Sequence, residues 1–260
     1  MKRFLGVVVA VGLGLTLVRA EKPERPIAAI ERVLIISVDG LRPDRLLLAD
    51  APVIRGLMAE GAYSMWARTT AMATTLPSHT SMVTAVVPRK HKIYWNEPLP
   101  LTEPIYPARP TLFEMARRNG YRTAMVAGKA KFLYLNKPGT IQHASYPAPG
   151  EPDLSDAVVA ARAAAIITAH RPEVLLVNFP EVDEVGHAKG WGSSEQLAAI
   201  ARVDGHVATV LAALDAAGVR PSTLIIVTSD HGGSGITHSM DDERSRRIPW
   251  IAVGPGLRRN

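Results

Sequence analysis

The sequence predicts an α/β fold: a mostly parallel central sheet with helices on both faces, in three layers. Three observations predict it. Runs such as "RVLIISV", "EVLLVNF" and "STLIIVT" are apolar throughout, the pattern of strands buried on both sides. They alternate with helical stretches long enough to cover a sheet. Acids and histidines then cluster just past the strand ends, where open parallel sheets bind ligands.

The elements follow in order along the 260 residues. Residues 1–20 read as a secretory leader: Lys2 and Arg3, an apolar run from Phe4 to Val18, then small residues around Ala20. The run is shorter than the roughly 20 residues that span a bilayer, and Gly6, Gly12 and Gly14 interrupt it. Cleavage after Ala20 is therefore expected, with no stable membrane anchor, and no later segment reads as apolar enough to span. A spacer, Glu21 to Pro26, leads to a strand over Val33–Val38 that ends at Asp-Gly. A helix is expected over 44–61, stopped by Gly61. Residues 88–110 are rich in proline and aromatics without a period, which predicts an insertion or lid. A strand over 121–128 follows, then an alanine-rich helix over 154–170 with Ser155 as its N-cap. Next come a strand over 173–180 and a long helix over 193–218, capped by Ser193 or Ser194 and ended by Gly218. Strands over 222–232 and 248–256 close the pattern. Residues 21–260 are expected to form one domain.

Bulk properties exclude several classes. The formal charge is +6, and removing a leader that holds Lys2, Arg3 and Arg19 but no acid leaves +3. That balance is too mild to indicate a nucleic-acid partner. Cysteine is absent, so disulfides, thiolate catalysis and Cys-ligated zinc are excluded. An exported chain without cysteine suits a bacterial periplasm.

The chemistry lies in five short stretches. "VDG" supplies Asp39, "DEVGH" supplies Asp183 and His187 at i and i+4, "SDHGG" supplies Asp230 and His231, and "ITHS" supplies His238. Each has an ordinary structural reading alone: a turn acid, a helix-surface pair, a chance dipeptide. Together, at one sheet edge, three carboxylates and three imidazoles without sulfur suit zinc, with manganese or iron as alternatives. Six ligands exceed the needs of one open tetrahedral ion and divide into two sites of three. Two ions can clamp the attacking and leaving oxygens of a displacement at phosphorus. The fifth stretch, "TTLPSH" (74–79), sets three hydroxyls and an imidazole around one proline. It has no glycine and no helical period, and reads as a capped turn or as the seat of a nucleophile. The residues alone do not choose between Thr74 and Thr75.

The ordered set "ISVDGLRPD", "TTLPSH", "DEVGH" and "SDHGG…H…IPWIAVGPG" resembles the alkaline phosphatase superfamily, and within it the type I phosphodiesterase/nucleotide pyrophosphatase family, from about Val33 to the C-terminus. The resemblance implies an alkaline phosphatase-like fold and a metal-dependent phosphoester hydrolase acting on a small molecule, a nucleotide among the candidates. It implies two zinc ions, one held by Asp39, Asp230, His231 and the nucleophile oxygen, the other by Asp183, His187 and His238. It selects Thr75 as nucleophile, through a phosphothreonine intermediate, and gives Asn96 a phosphoryl-oxygen contact. Ser78 and His79 become turn and packing residues. Lys92 and Ala85 stand where the family has glycine. Lys129 and Lys131 in "GKAKF" resemble a Lys-x-Lys of phosphonoacetate hydrolases, which implies an alternative: a phosphomonoesterase or phosphonate hydrolase that uses both ammoniums. Tyr94 and Trp95 either simply pack the 88–110 insertion, the favoured reading, or stack on a base in the leaving group. Sulfatases share the scaffold, but the chain lacks their cysteine and has His79 where they carry arginine. An inactive binding protein that keeps the fold is the rival of another class. The chain stops at "GPGLRRN", where relatives continue with another helix, so a fragment or a differently closed sheet is expected, with an apolar face uncovered.

Overall fold

A computed structural model describes Arg25 and residues 27–99, 104–239 and 242–257. The expected leader lies outside the described residues. In chain order the elements are β1 (Arg32–Val38), α1 (Pro43–Leu48), α2 (Pro52–Glu60), β2 (Ala62–Arg68), α3 (Thr75–Thr84), α4 (Pro88–His91) and α5 (Leu112–Arg118). Then follow β3 (Thr123–Ala127), β4 (His143–Ser145), α6 (Asp156–His170), β5 (Val174–Phe179), α7 (Glu181–Lys189) and α8 (Ser194–Ala216). The chain closes with β6 (Thr223–Thr228), α9 (Glu243–Arg246) and β7 (Arg247–Val253).

The seven strands form one sheet in the order β2-β7-β6-β1-β5-β3-β4. β1 lies at its centre, parallel to β5 on one side and β6 on the other, with Ile36 opposite Val177 and Val227. β3 and β4 continue the parallel set. β7 runs antiparallel to β6, and β2 antiparallel to β7. The expected mostly parallel sheet is present, with its antiparallel pairs at one edge. One face packs Leu34, Ile36, Val177 and Val227 against apolar residues of α2, α6 and α8. The other packs Ile35, Met125 and Leu176 against Leu76, Val83 and Phe113 of α3 and α5. The second face stays open over β6 and β7. A groove of about 380 Å³ there is lined by Ile226, Ile248 and Trp250 among others.

Two local outcomes differ from the sequence expectation. The helix expected over 44–61 is two helices, broken before Pro52, which disfavours helical backbone at the residue preceding it. The first N–H groups of α2 are capped from across the structure: Val53 and Ile54 donate to the Asp204 carboxylate on α8 at 3.0 and 2.7 Å. Contrary to expectation, α8 is long and apolar enough to cross a membrane by length and composition, but half of the span is buried inside the protein. Its apolar residues serve the core, through Ile200, Val203, Val207 and Leu211.

The two family departures have a clear conformational consequence. Ala85 (φ 55°) ends α3 and Lys92 (φ 69°) ends α4, both left-handed. The turns keep the backbone a glycine would adopt, and these residues hold it at a steric cost. Ala85→Gly and Lys92→Gly are each expected to raise stability by about 0.5–1 kcal/mol, less any gain in unfolded-chain entropy. Urea unfolding midpoints would check this; a lower midpoint in both would contradict it.

Candidate metal centre and cleft

Four adjacent parallel strands, β6-β1-β5-β3, end at one place and deliver the site. Asp39 directly follows β1, and its N–H donates to Phe179 O at 2.9 Å. Gly40 turns the chain at φ +71°, and a Cβ there would lie 3.0 Å from Asp183 Cα. Asp183 sits in the first turn of α7, directly after β5. Asp230 and His231 follow β6, and Asp230 Oδ1 accepts the Gly40 N–H at 3.2 Å. All three carboxylates are buried.

The histidines are oriented from behind. His231 Nδ1 donates to Gly232 O (2.8 Å), His238 Nδ1 to Ala73 O (2.7 Å) and His187 Nδ1 to Ile236 O (2.9 Å). A carbonyl only accepts, so Nδ1 carries the proton and Nε2 is left to ligate, the usual backing of metal-binding histidine. His231 Nε2 lies 3.3 Å from Asp230 Oδ2, 3.4 Å from Asp39 Oδ1 and 3.9 Å from Asp183 Oδ1. His187 Nε2 and His238 Nε2 lie 3.5 and 4.0 Å from Asp183 Oδ1. Asp183 Oδ1 and Asp230 Oδ2 are buried without a hydrogen-bond partner among the described residues. Orphaned carboxylate oxygens facing imidazole nitrogens fit divalent cations.

Two groups have ligand atoms within 4.8 Å of one another: Asp39, Asp230 and His231, and Asp183, His231 and His238. The first is the triad expected for one ion. The second has His231 where His187 was expected. His187 is the most exposed of the three histidines, but its ring stays 5.1 Å from that of His238. His231 thus stands between the two groups.

"TTLPSH" is not a turn. It opens α3, with Thr74 as N-cap and Thr75 as first helical residue. Pro77 lies in the first turn, where its missing N–H has no intrahelical partner to lose. Thr75 Oγ1 lies 3.4 Å from Asp39 Oδ1 and 3.5 Å from His231 Nε2. Thr74 Oγ1 is buried with no partner among the described residues. His79 is wholly buried; its Nδ1 donates to Thr75 O (2.8 Å) and its Nε2 accepts from Ser37 Oγ (2.8 Å). Asn96 Oδ1 accepts the Leu76 N–H at 2.9 Å, which fixes its amide beside Thr75.

Thr75, Asn96, Lys129, Lys131, His187 and His238 line a cleft of about 530 Å³. Lys129 does not project freely into it: Nζ is 2.6 Å from Asp183 Oδ2 and 3.1 Å from Asp39 Oδ2. Lys131 pairs with Glu97 at 3.2 Å. Tyr94 and Trp95 are not among the residues lining this cleft. Trp95 packs edge-on against Tyr134, ring centres 5.4 Å apart, and Tyr94 is exposed. The sequence reading missed the acids of the cleft wall, Glu97, Glu151, Asp153 and Glu184. Glu184, one residue past Asp183, was the detectable one.

The electrostatics follow from burial and crowding. Burial pushes Asp230 up to about 8, and the neighbouring Asp39 charge adds to it. Burial also opposes charge on Asp39, but Lys129 and then His231 outweigh it and hold Asp39 below the usual carboxylate range. Burial disfavours charge on His231, yet Asp230, Asp183 and Asp39 push its pKa up; a divalent ion would take that proton's place. Burial pulls His238 down to about 4, with His231 adding to the effect. Burial pushes Glu184 up to about 7 despite Lys129.

Fold and site together define an alkaline phosphatase-like α/β protein with a candidate metal centre at the sheet's carboxyl edge. The profile of the type I phosphodiesterase / nucleotide pyrophosphatase family matches residues 33–246, and the chain belongs to that family. Murine ectonucleotide pyrophosphatase / phosphodiesterase 5 superposes with a TM-score of 0.62 at 21% identity, covering 77% of this chain and 57% of that one. An inactive threonine-to-alanine form of the same murine protein, in complex with AMP, gives 0.64 at 21% identity over 78% and 57%. A 2-O GAG sulfatase gives 0.66 at 16% identity over 89% and 65%. Alkaline phosphatase PhoD of Zymomonas mobilis is 37% identical over 65 residues, 25% of this chain and 11% of that protein. The chain thus spans little more than half of the murine protein's length.

His79 yields a pH prediction. Burial holds its pKa at about 4, below the ordinary 6.5. A depressed folded value means that its contribution is fully present above 6.5 and is lost as pH falls toward about 4. His79→Gln should therefore flatten the fall of melting temperature between pH 6.5 and 4. Parallel wild-type and variant profiles would contradict this.

Proposed function

We propose that the protein is an exported, metal-dependent phosphoester hydrolase of phosphodiesterase/nucleotide pyrophosphatase type, with Thr75 as nucleophile. The observation that carries this reading is the Thr75 hydroxyl, 3.4 Å from Asp39 Oδ1 and 3.5 Å from His231 Nε2 at the amino end of α3. Asp39, Asp230 and His231 would hold one zinc ion, and Asp183 with His238 and His187 the other. Bound ions would lower the pKa of the hydroxyl and neutralise charge on the phosphoryl oxygens.

The chain's own residues do the rest. Thr75 Oγ1 attacks phosphorus, the bond to the leaving oxygen breaks, and a phosphothreonine remains for water to hydrolyse. At the amino end of α3 the Thr75 N–H and the helix dipole would face the phosphoryl oxygens, since the Leu76 N–H is held by Asn96 and Pro77 has none. Asn96, anchored through Oδ1, offers its Nδ2–H donors to the same oxygens. His79 holds the Thr75 carbonyl, and so the angle at which Oγ1 enters the site. Membership of the family supports phosphoester chemistry. The murine relative's inactivity as a threonine-to-alanine form supports a threonine nucleophile, and its AMP complex supports a nucleotide among the substrates.

The monoesterase alternative needs two ammoniums facing substrate. The engagement of Lys129 with Asp39 and Asp183, and of Lys131 with Glu97, favours the diester reading.

Thr75→Ala should lower hydrolysis of bis-(p-nitrophenyl) phosphate by about 10³-fold or more while zinc content, read by mass spectrometry, stays that of wild type. Retained turnover would reject this nucleophile. Faster hydrolysis of the mono- than of the bis-ester would favour the monoesterase. A zinc-loaded wild-type protein inactive on both would favour the binding protein.

A further inference from the structure

Lys129 stands out among the buried groups because the proposed reaction gives it no task. It follows Gly128 at the end of β3, where a glycine is needed: a Cβ there would lie 2.3 Å from Pro180 Cγ. The close approach of β3 to the start of α7 drives the lysine stem inward, and the residue is only 5% exposed. Its ammonium has two carboxylate partners. It bridges Asp183 Oδ2 (2.6 Å) and Asp39 Oδ2 (3.1 Å), acids that belong to the two different ligand groups. Asn178 Nδ2 also donates to Asp39 Oδ2, at 3.3 Å. The other oxygen of each acid faces the imidazoles: Asp39 Oδ1 lies 3.4 Å from His231 Nε2, and Asp183 Oδ1 lies 3.5 Å from His187 Nε2. The carboxylates thus divide their oxygens, one to the ammonium and one to the ion space.

We propose that Lys129 is a resident counter-ion of the metal centre, holding the two ligand groups together without metal and opposing divalent cations for Asp39 and Asp183. Three buried carboxylates left uncompensated would repel one another strongly in this low-dielectric site. One monovalent cation between two of them relieves that repulsion before any ion binds. The same charge, one carboxylate's width from each ion space, then repels an incoming dication. Second, the bridge limits Asp39 and Asp183 to one ligand oxygen each. The outcome is a site that keeps its shape when empty and binds metal more weakly than its ligands alone would. Lys129 acts through the acids and is therefore a positioning residue. The inference rests on reading the acid and histidine groups as ion sites, not on the reaction or on Thr75.

The test compares wild type, Lys129→Met and Lys129→Arg. Melting temperature is measured in EDTA and in zinc, and zinc affinity by competition with a chromophoric chelator. Lys129→Met should melt several degrees lower in EDTA yet bind zinc more tightly, by about tenfold or more, so that zinc raises its melting temperature further than it raises the wild type's. Lys129→Arg keeps the charge and should stay near wild type in EDTA. An unchanged EDTA melting temperature in Lys129→Met would overturn the bridge. Weaker zinc binding would overturn the competition and leave an orienting contact, whose loss typically costs 10–100-fold in affinity. If Lys129→Met does not fold in EDTA, folding on adding zinc supports the proposal, and failure to fold in zinc overturns it. A wild type that takes up no zinc would overturn the ion sites themselves, and the competition with them. Activity enters none of these outcomes, so they are independent of the Thr75 test.

Discussion

Three carboxylates buried side by side are the constraint on which this structure turns. Asp39, Asp183 and Asp230 sit at the ends of the three central strands, or just past them, and water does not screen them. A unit charge pair about 4 Å apart at the effective dielectric of a protein interacts by about 4 kcal/mol. Such a cluster folds only if positive charge and hydrogen-bond donors reach each acid. The fold provides them in layers. Gly40 N–H reaches Asp230, Asn178 reaches Asp39, and Lys129 reaches Asp39 and Asp183. His231 lies against all three acids. What remains, among the described residues, is two buried oxygens of these acids without a partner, Asp183 Oδ1 and Asp230 Oδ2. They mark where compensation by the chain stops and compensation by bound cations would begin.

Most of this was legible in the sequence because buried parallel strands are uniform in composition. "LIIS", "LLVN" and "IIVT" needed no periodicity to be read, and the acids beyond them needed only the rule that ligands bind at strand ends. What was missed had mixed signals. β2 is an edge strand with exposed Tyr63 and Trp66 and a register shift, so neither alternation nor uniform burial marks it. β4 has three residues and no apolar run. α3 is buried nearly all round, so "TTLPSHTSMVT" shows no amphipathic stripe; the readable signal was a threonine cap with proline in the first turn.

Side-chain destinations were less legible than positions. The spacing that paired Asp183 with His187 is correct as helix geometry, yet His231 comes into ligand distance of Asp183 as well. That contact joins residues far apart in sequence and depends on how β5 and β6 flank β1. Trp95 shows the same limit. Its place in an aromatic segment left both packing and stacking on a ligand open, and the sequence could not name Tyr134 as the ring it packs against. Lys129 is the sharpest case. A lysine after a strand reads as solvated, and nothing local announces that Gly128 lets β3 approach Pro180 closely enough to bury it.

The distinction between Thr74 and Thr75 shows how little freedom remains once the carboxylates are placed. Ser37 lies two residues before Asp39, and Ser37 and Asn178 are partners in the register of β1 and β5. Ser37 binds His79, and His79 binds the carbonyl of Thr75. The nucleophile candidate is therefore tied by two hydrogen bonds to the strand that carries its acid neighbour. Thr74 lies one residue earlier, at the N-cap, with extended backbone (ψ 152°), and its hydroxyl has no partner among the described residues. On the proposed reading of Thr75 as nucleophile, His79 serves as a strut that holds the Thr75 carbonyl to β1, beside Asp39, and not as a general base.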